Sequence, residues 1–313
     1  MTNPTANPTA NPSPGPSGWL VVDKPTGISS ARVVSVARRA LGTRKIGHGG
    51  TLDPLASGVL PLAVGEATKT VAYAMTGEKT YRFTVRWGEA RATDDAEGEV
   101  TETSDHRPSE ADIHRVLPQF IGTIDQVPPD FSAIKVAGQR AYKLARQAKP
   151  VVLKARPVTV KSLELLEIPN RDLAEFEVRG GKGLYVRSLG RDLARALGTV
   201  GYIAALRRTR VGPFHAEAAI SLDKLEALGH SPALLECLLP VETALDDIPA
   251  LALTESEAAR LKMGQPLQAL CTGTPASRPL SDGAVAYATA AGKPVALVRL
   301  DGGLLRPVRV LNL

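Results

Sequence analysis

Cysteine is almost missing from this chain. Cys237 and Cys271 are the only two in 313 residues, and they are too far apart to form a metal-type pair. That argues against a disulfide or zinc framework and for a reducing compartment, so a cytoplasmic location is expected. Long apolar runs are missing too. Nothing approaches the roughly 18 consecutive apolar residues that span a bilayer. The first apolar cluster, Trp19 to Val22, is short and follows an 18-residue stretch without a charged side chain. Neither a secretory signal nor a membrane partner is therefore expected. No glycine-rich loop ends in Gly-Lys-Ser/Thr, no dinucleotide fingerprint appears, and no His/Cys cluster has ligand spacing. The expectation is a protein without cofactor or metal.

What remains is an ordinary soluble composition, 43 % apolar, in a chain long enough for two domains and a sizeable core. Net charge is +6, but it is unevenly spread. Residues 131–211 carry 17 basic and 6 acidic groups, a local charge of +11, while residues 81–130 carry 5 and 11, or −6. Solvated helix faces often produce such runs, but a block this basic also suits a polyanion. Residues 1–18 repeat Asn-Pro-Thr-Ala and lack apolar anchors, so a disordered tail is expected.

The chain is organised around Gly47-His48-Gly49-Gly50-Thr51-Leu52-Asp53-Pro54-Leu55-Ala56-Ser57-Gly58. Glycines surround one histidine, and one carboxylate follows five residues later. Pro54 pushes Asp53 out of the helical region, so Asp53 should sit on a rigid turn. Val59 to Val64 then reads as a buried strand. By itself, Asp53 could simply cap its own turn. Upstream, Trp19 to Lys24 reads as a strand, and Ser29 or Ser30 as the cap of a helix ended by Gly42. Downstream, Lys79 to Trp87 alternates, with Tyr81, Phe83, Val85 and Trp87 on one face. The acidic stretch 88–108, including Asp94 and Asp95, reads as a solvated hairpin loop. Pro157 to Ile168 and Leu173 to Arg179 read as paired strands. Gly180 to Leu193 reads as a glycine-rich turn, a short strand and a helix, and 215–248 as mainly helical. Pro249 opens a new unit with a capping box at Thr254 and Glu257 and three short strands.

The central string, continued by Gly65-Glu66-Ala67-Thr68-Lys69, resembles the signature of the tRNA pseudouridine synthase B family. Lys24-Pro25, Pro128-Pro129-Asp130-Phe131-Ser132-Ala133-Ile134-Lys135, Gly183-Leu184-Tyr185-Val186-Arg187-Ser188-Leu189 and Leu206-Arg207-Arg208-Thr209-Arg210 resemble its further motifs. The likeness is strong over 19–248 and looser over 249–313. It implies an α+β pseudouridine synthase fold with a central antiparallel sheet (19–248) and a small PUA-like RNA-binding β-barrel (249–313). It implies Asp53 as nucleophile, Tyr81 stacked on the target base and serving proton transfer, and Arg187 paired with Asp53. Lys24, His48, Lys69, Tyr185, Leu206 and Lys135 would handle substrate, with Leu206 lining the uracil pocket. Lys143 and Arg146, on a basic helix after that motif, would meet phosphates.

The implied reaction isomerises the T-loop uridine of tRNA, position 55, to pseudouridine. A C–N glycosidic bond breaks, the base turns, and a C–C bond forms. Glycoside hydrolysis needs two carboxylates, one often activating water, whereas here the detached base is the second reactant and one carboxylate suffices. A guanidinium beside Asp53 would favour its ionised form. The partner would be the T-arm of tRNA, with no obligatory protein partner and a monomeric state. Two other readings stay open at this point. One is a non-catalytic RNA-binding protein or folding chaperone, and the other a metal-dependent hydrolase using His48, Asp53 and Asp94.

Overall fold

The computed structural model describes residues 15–132, 134–136, 139–141, 147, 153–269 and 280–313. It starts with strand β1 (Gly18–Lys24), whose alternation divides two cores. Leu20 and Val22 face a large cluster, while Trp19 and Val21 face a smaller one with Phe214, Val241 and Leu311. Helix α1 (Ser30–Ala40) follows, capped by Ser29, which accepts from the Arg32 amide. Arg38 and Arg39 lie in its last turn, favourably placed on the helix dipole. Strand β2 (Ser57–Val64) is buried along almost its whole length and pairs antiparallel with β1 from Gly58–Lys24 to Val64–Gly18.

Strand β3 (Lys79–Trp87) alternates as expected, with Phe83, Val85 and Trp87 buried and Arg82 and Arg86 exposed. Strands β4 (Arg156–Asn170) and β5 (Leu173–Gly180) form the expected hairpin. Helix α2 (Val186–Ala196) starts directly after a turn, with Tyr185 as its N-cap residue, so the short strand expected there is absent. It lies tight on strand β6 (Gly201–Val211), and a Cβ on Gly190 would come within 2.5 Å of Ile203 Cδ1. Sequence reading did not mark β6 as a strand, because three arginines interrupt its apolar pattern.

The sheet runs in the order 220–221, β1, β2, β6, β3, β5, β4, 122–126. It is mostly antiparallel, but β6 runs parallel to β2 at Arg207–Ser57 and Arg208–Gly58, and 220–221 parallel to β1. The sheet is therefore mixed rather than wholly antiparallel. The segment 215–248 is less helical than expected, with two short helices, Leu222–Ala227 and Pro232–Glu236, and two 3-10 turns, Ala216–Ala218 and Val241–Leu245. Of the expected tail, residues 1–14 lie outside the described residues, but Gly18 is already strand and Ser17 Oγ accepts from the Glu66 amide at 3.1 Å.

Residues from Ala250 onward build a second sheet around helix α3 (Glu255–Lys262), which carries the expected capping box. Its strands are 250–252, β7 (Val285–Ala290), β8 (Lys293–Asp301), β9 (Leu304–Val310) and 267–268, in that order. This unit has its own core, including Leu251, Leu261, Ala288 and Val298. Its last residues return to the first unit. Glu66 accepts from the Asn312 amide at 2.8 Å, Lys69 Nζ donates to Val310 O at 2.6 Å, and Leu311 is fully buried against the Trp19 cluster. Burial pushes the Glu66 carboxyl up, but the Asn312 amide, Lys45 and Lys69 outweigh it and hold the group at about 2.

One glycine fixes the crossing that positions the site. Gly58 has φ +102°, and a Cβ there would lie 2.1 Å from Arg208 O on the adjacent parallel strand. Gly58→Ala should therefore destabilise the chain by at least about 2 kcal/mol. In urea the midpoint should fall with an unchanged slope, and an unshifted midpoint would contradict this reading of the crossing.

Candidate active site

Asp53 lies on the loop between the short strand Ile46–His48 and β2. Each of its neighbours is tied down. Ser30, the first residue of α1, bonds Leu52 twice, donating to Leu52 O and accepting from Leu52 N, both at 2.9 Å. The Pro54 carbonyl accepts from Gly27 N at 2.8 Å and from Lys24 Nζ at 3.3 Å. The Gly49 amide donates to Pro61 O at 2.7 Å, and Ala56 N closes a turn onto Asp53 O at 3.1 Å. The carboxylate projects from a backbone with little freedom of its own.

Arg187, in the first turn of α2, meets it. Its Nη2 lies 2.9 Å from Asp53 Oδ2 and its Nη1 3.5 Å from Asp95 Oδ2. The same two nitrogens donate to Phe131 O and Thr93 O, both at 2.9 Å. The guanidinium side chain is only 6 % exposed, while that of Asp53 is 44 % exposed. The cation is thus locked in the protein and the anion faces a cavity of about 180 Å³. Tyr81 from β3, Leu206 from β6, and Tyr185 and Ser132 complete the cavity wall. Tyr185 is fixed through its backbone, whose amide donates to Gln126 Oε1 at 2.9 Å. Burial pushes the Tyr185 hydroxyl above its ordinary value.

Five of the expected residues therefore converge: Asp53, Tyr81, Arg187, Tyr185 and Leu206. Lys24 lies apart from this group. It is fully buried, and its ammonium donates to three carbonyls, Pro25 and Ile28 at 2.8 Å and Pro54 at 3.3 Å. Burial lowers it to about 8, with Asp53 opposing. A lysine has three donors, and all three are used under the loop. Lys69 also lies apart, where its ammonium holds Glu66 and the Val310 carbonyl at the junction with the second unit. His48 is paired into the sheet opposite Leu62, outside the cavity lining. Its Nδ1 is buried without a partner, and burial followed by the Arg208 charge favours the neutral ring. The Lys135 side chain, Lys143 and Arg146 lie outside the described residues.

Sequence reading missed the residues behind the arginine. Asp95 is buried at 3 % exposure, and Asp94 pairs with Arg191 at 2.9 Å. Burial raises the Asp94 carboxyl, with Arg191 and Arg187 opposing. These aspartates are not solvated hairpin tips. The hairpin Glu89–Arg91 with Val100–Thr103 exists, but its acidic turn folds onto the N-terminal half of α2. Arg191 also donates to Val127 O, as does Ser188 Oγ, which fastens the 126–132 segment to the helix. Asp53 and Asp94 each face a guanidinium, an arrangement opposite to what a divalent cation would need, and His48 is directed elsewhere. The metal-hydrolase reading loses its ligand set.

Comparison with known proteins gives the family of the chain. Residues 38–186 match the family model for the TruB family pseudouridylate synthase N-terminal domain, and residues 187–246 match the tRNA pseudouridylate synthase B C-terminal domain. The chain is 55 % identical over 298 residues to tRNA pseudouridine synthase B of Rhodospirillum rubrum, covering 95 % of this chain and 96 % of that protein. It is 53 % identical to the protein of the same name from Bradyrhizobium diazoefficiens, covering 95 % and 86 %. Among solved structures, a chain of the archaeal box H/ACA sRNP Nop10-Cbf5 complex superposes with TM-score 0.73 at 25 % identity, covering 99 % of this chain and 92 % of that one. A chain of an H/ACA RNP bound to a substrate RNA containing 2'-deoxyuridine gives 0.72 at 25 %, covering 95 % and 85 %.

Asp95 braces Arg187 from the side opposite Asp53, and breaking a buried charge pair is costly. Asp95→Asn should lower the single-turnover rate on tRNA on the order of 10- to 100-fold while the RNA dissociation constant changes by no more than about threefold. A rate equal to wild type would show that Arg187 holds its place without Asp95.

Proposed function

The chain belongs to the TruB family of pseudouridylate synthases, and from that premise we propose that it isomerises the T-loop uridine of tRNA, position 55, to pseudouridine with Asp53 as the nucleophile. The observation that carries the reading is one solvent-accessible carboxylate, ion-paired to a buried arginine, at the wall of a cavity shared with a tyrosine. A uridine inside a folded T-loop must be flipped out, at a cost of a few kcal/mol. Stacking on an aromatic ring returns roughly 1–3 kcal/mol per base, the part given to Tyr81. Arg187 pairs with the Asp53 carboxylate and aims it. Leu206 and Tyr185 exclude water, so the detached base turns within the cavity rather than escaping. The new C–C bond forms at C5, the C5 proton leaves with Tyr81 positioned to assist, and N1, freed from the sugar, takes up a proton, so the product is an isomer of the substrate. The reaction closes on its own atoms and calls for no cofactor.

The basic stretch 131–211 offers phosphate contacts, and the second unit extends the RNA surface. On this reading residues 19–248 are the catalytic domain and 249–313 a PUA-like RNA-binding domain, acting as a monomer in the cytoplasm without an obligatory protein partner. No helix among the described residues is long and apolar enough to cross a membrane. The competing view, an RNA-binding protein without catalysis, has no use for an accessible carboxylate that a buried arginine holds in a cavity.

The test is incubation of the purified protein with unmodified tRNA, followed by mapping of pseudouridine by position. The wild type should convert one T-loop uridine. Asp53→Asn should bind tRNA within a few fold of wild type and convert none. Multiple turnover by Asp53→Asn, prepared free of host enzyme, would remove Asp53 from its role.

A further inference from the structure

Arg208 has no place in the chemistry so far, yet it is one of the largest fully buried side chains, at 2 % exposure. It sits on β6 at a double crossing. Its backbone pairs with Gly58 of β2 on one side and with Tyr81 of β3 on the other. Its guanidinium plane then reaches into the Asp53 loop. Nε donates to Val59 O at 2.9 Å, Nη2 to Gly50 O at 2.9 Å, and Nη1 to Thr51 O at 3.4 Å. Gly50 has φ +132°, a backbone conformation that favours glycine, and in it the Gly50 carbonyl accepts from Nη2; a Cβ there would make only ordinary contact with Nη1, at 3.6 Å.

Burying a guanidinium against neutral carbonyls is costly, and a site that needed only volume would be served as well by an apolar side chain. The cost has a geometric return. One rigid fork joins the strand after the loop, at Val59, to the loop itself, at Gly50 and Thr51. A lysine presents a point charge and cannot span the same three acceptors in plane. Burial lowers the proton affinity of Arg208, and Tyr81 and then Asp53 oppose that fall. Both residues that the cavity brings together thus lie within its electrostatic reach.

We propose that Arg208 is a positioning residue that fixes the Asp53 loop relative to Tyr81. The inference rests on the reading of Asp53 and Tyr81 as the reacting pair. Arg208 touches carbonyls of the protein and lies inside the sheet, so it should contribute to rate and not to RNA affinity. A displacement of about 1 Å at such a site can cost on the order of 100-fold in rate.

The experiment compares Arg208→Lys and Arg208→Met with wild type and with Asp53→Asn. Folding is followed by circular dichroism and thermal melting, affinity by filter binding of tRNA, and chemistry by single-turnover conversion at saturating tRNA. Arg208→Lys should fold, bind tRNA within about threefold of wild type, and react at least about tenfold more slowly, with Arg208→Met slower still. A wild-type rate in Arg208→Lys overturns the proposal, and so does a loss of affinity as large as the loss of rate, which would make Arg208 an RNA contact. Should Arg208→Met fail to fold, Arg208→Lys decides alone. An active Asp53→Asn would instead overturn the reading of the reacting pair, an outcome separate from either result at Arg208.

Discussion

A buried arginine between two carboxylates is the constraint on which the site depends. Arg187 is almost without solvent, and its charge must be met inside the protein. Asp95 meets it from behind, Thr93 O and Phe131 O take its remaining donors, and Asp53 meets it from the cavity side. Three chain segments far apart in sequence are thereby drawn to one helix N-terminal turn. The fold supplies the rest through the sheet. The β2–β6 crossing brings the Asp53 loop beside β6, and the β6–β3 pairing sets Leu206 opposite Phe83 and Arg208 opposite Tyr81. The loop is pinned from its other side as well, by Ser30 at the start of α1, Gly27 in the turn before it and Lys24 at the end of β1, so that Asp53 keeps its place beside Arg187.

The strands with clean alternation were legible: β3 reads directly from Tyr81, Phe83, Val85 and Trp87, and the capping box at Thr254 and Glu257 was visible. The Asp53 loop was legible because its glycines, proline and carboxylate are local. Lys24 and Asp95 were not, for one physical reason. Asp95 is held by Arg187, 92 residues on, and Lys24 by the backbone carbonyls of Pro25, Ile28 and Pro54. Composition rules treat a charged side chain as solvated unless an opposite charge is visible nearby, and neither a backbone carbonyl nor a remote arginine is visible in that way. The same limit hid β6. Arg207 ion-pairs with Asp23 and Arg208 fills the sheet interior, so both strand faces carry arginine and the apolar period is broken. The parallel crossing at Gly58 is a long-range event that no local pattern announces.

The two units are less independent than their composition suggests. The second has its own core, but its final residues return to the first, where Leu311 fills the Trp19 cluster and Glu66 and Lys69 hold the adjacent backbone. Glu66 and Lys69 belong to the short segment that follows β2, the strand carrying the Asp53 loop at its start. Lys69, which by motif resembled a substrate contact, thus holds a joint between the two units.

If the cavity between the Asp53 loop and Tyr81 receives a flipped uridine while Arg187 stays clamped, a crystal structure of the protein with a T-arm stem-loop RNA should show it. The target ring should lie inside the cavity, stacked on Tyr81 with the Asp53 carboxylate at its reacting side, and the Arg187 contacts to Asp95 and Asp53 should be retained. A T-loop bound with its target base still stacked in the RNA, or seated away from Asp53, would contradict it.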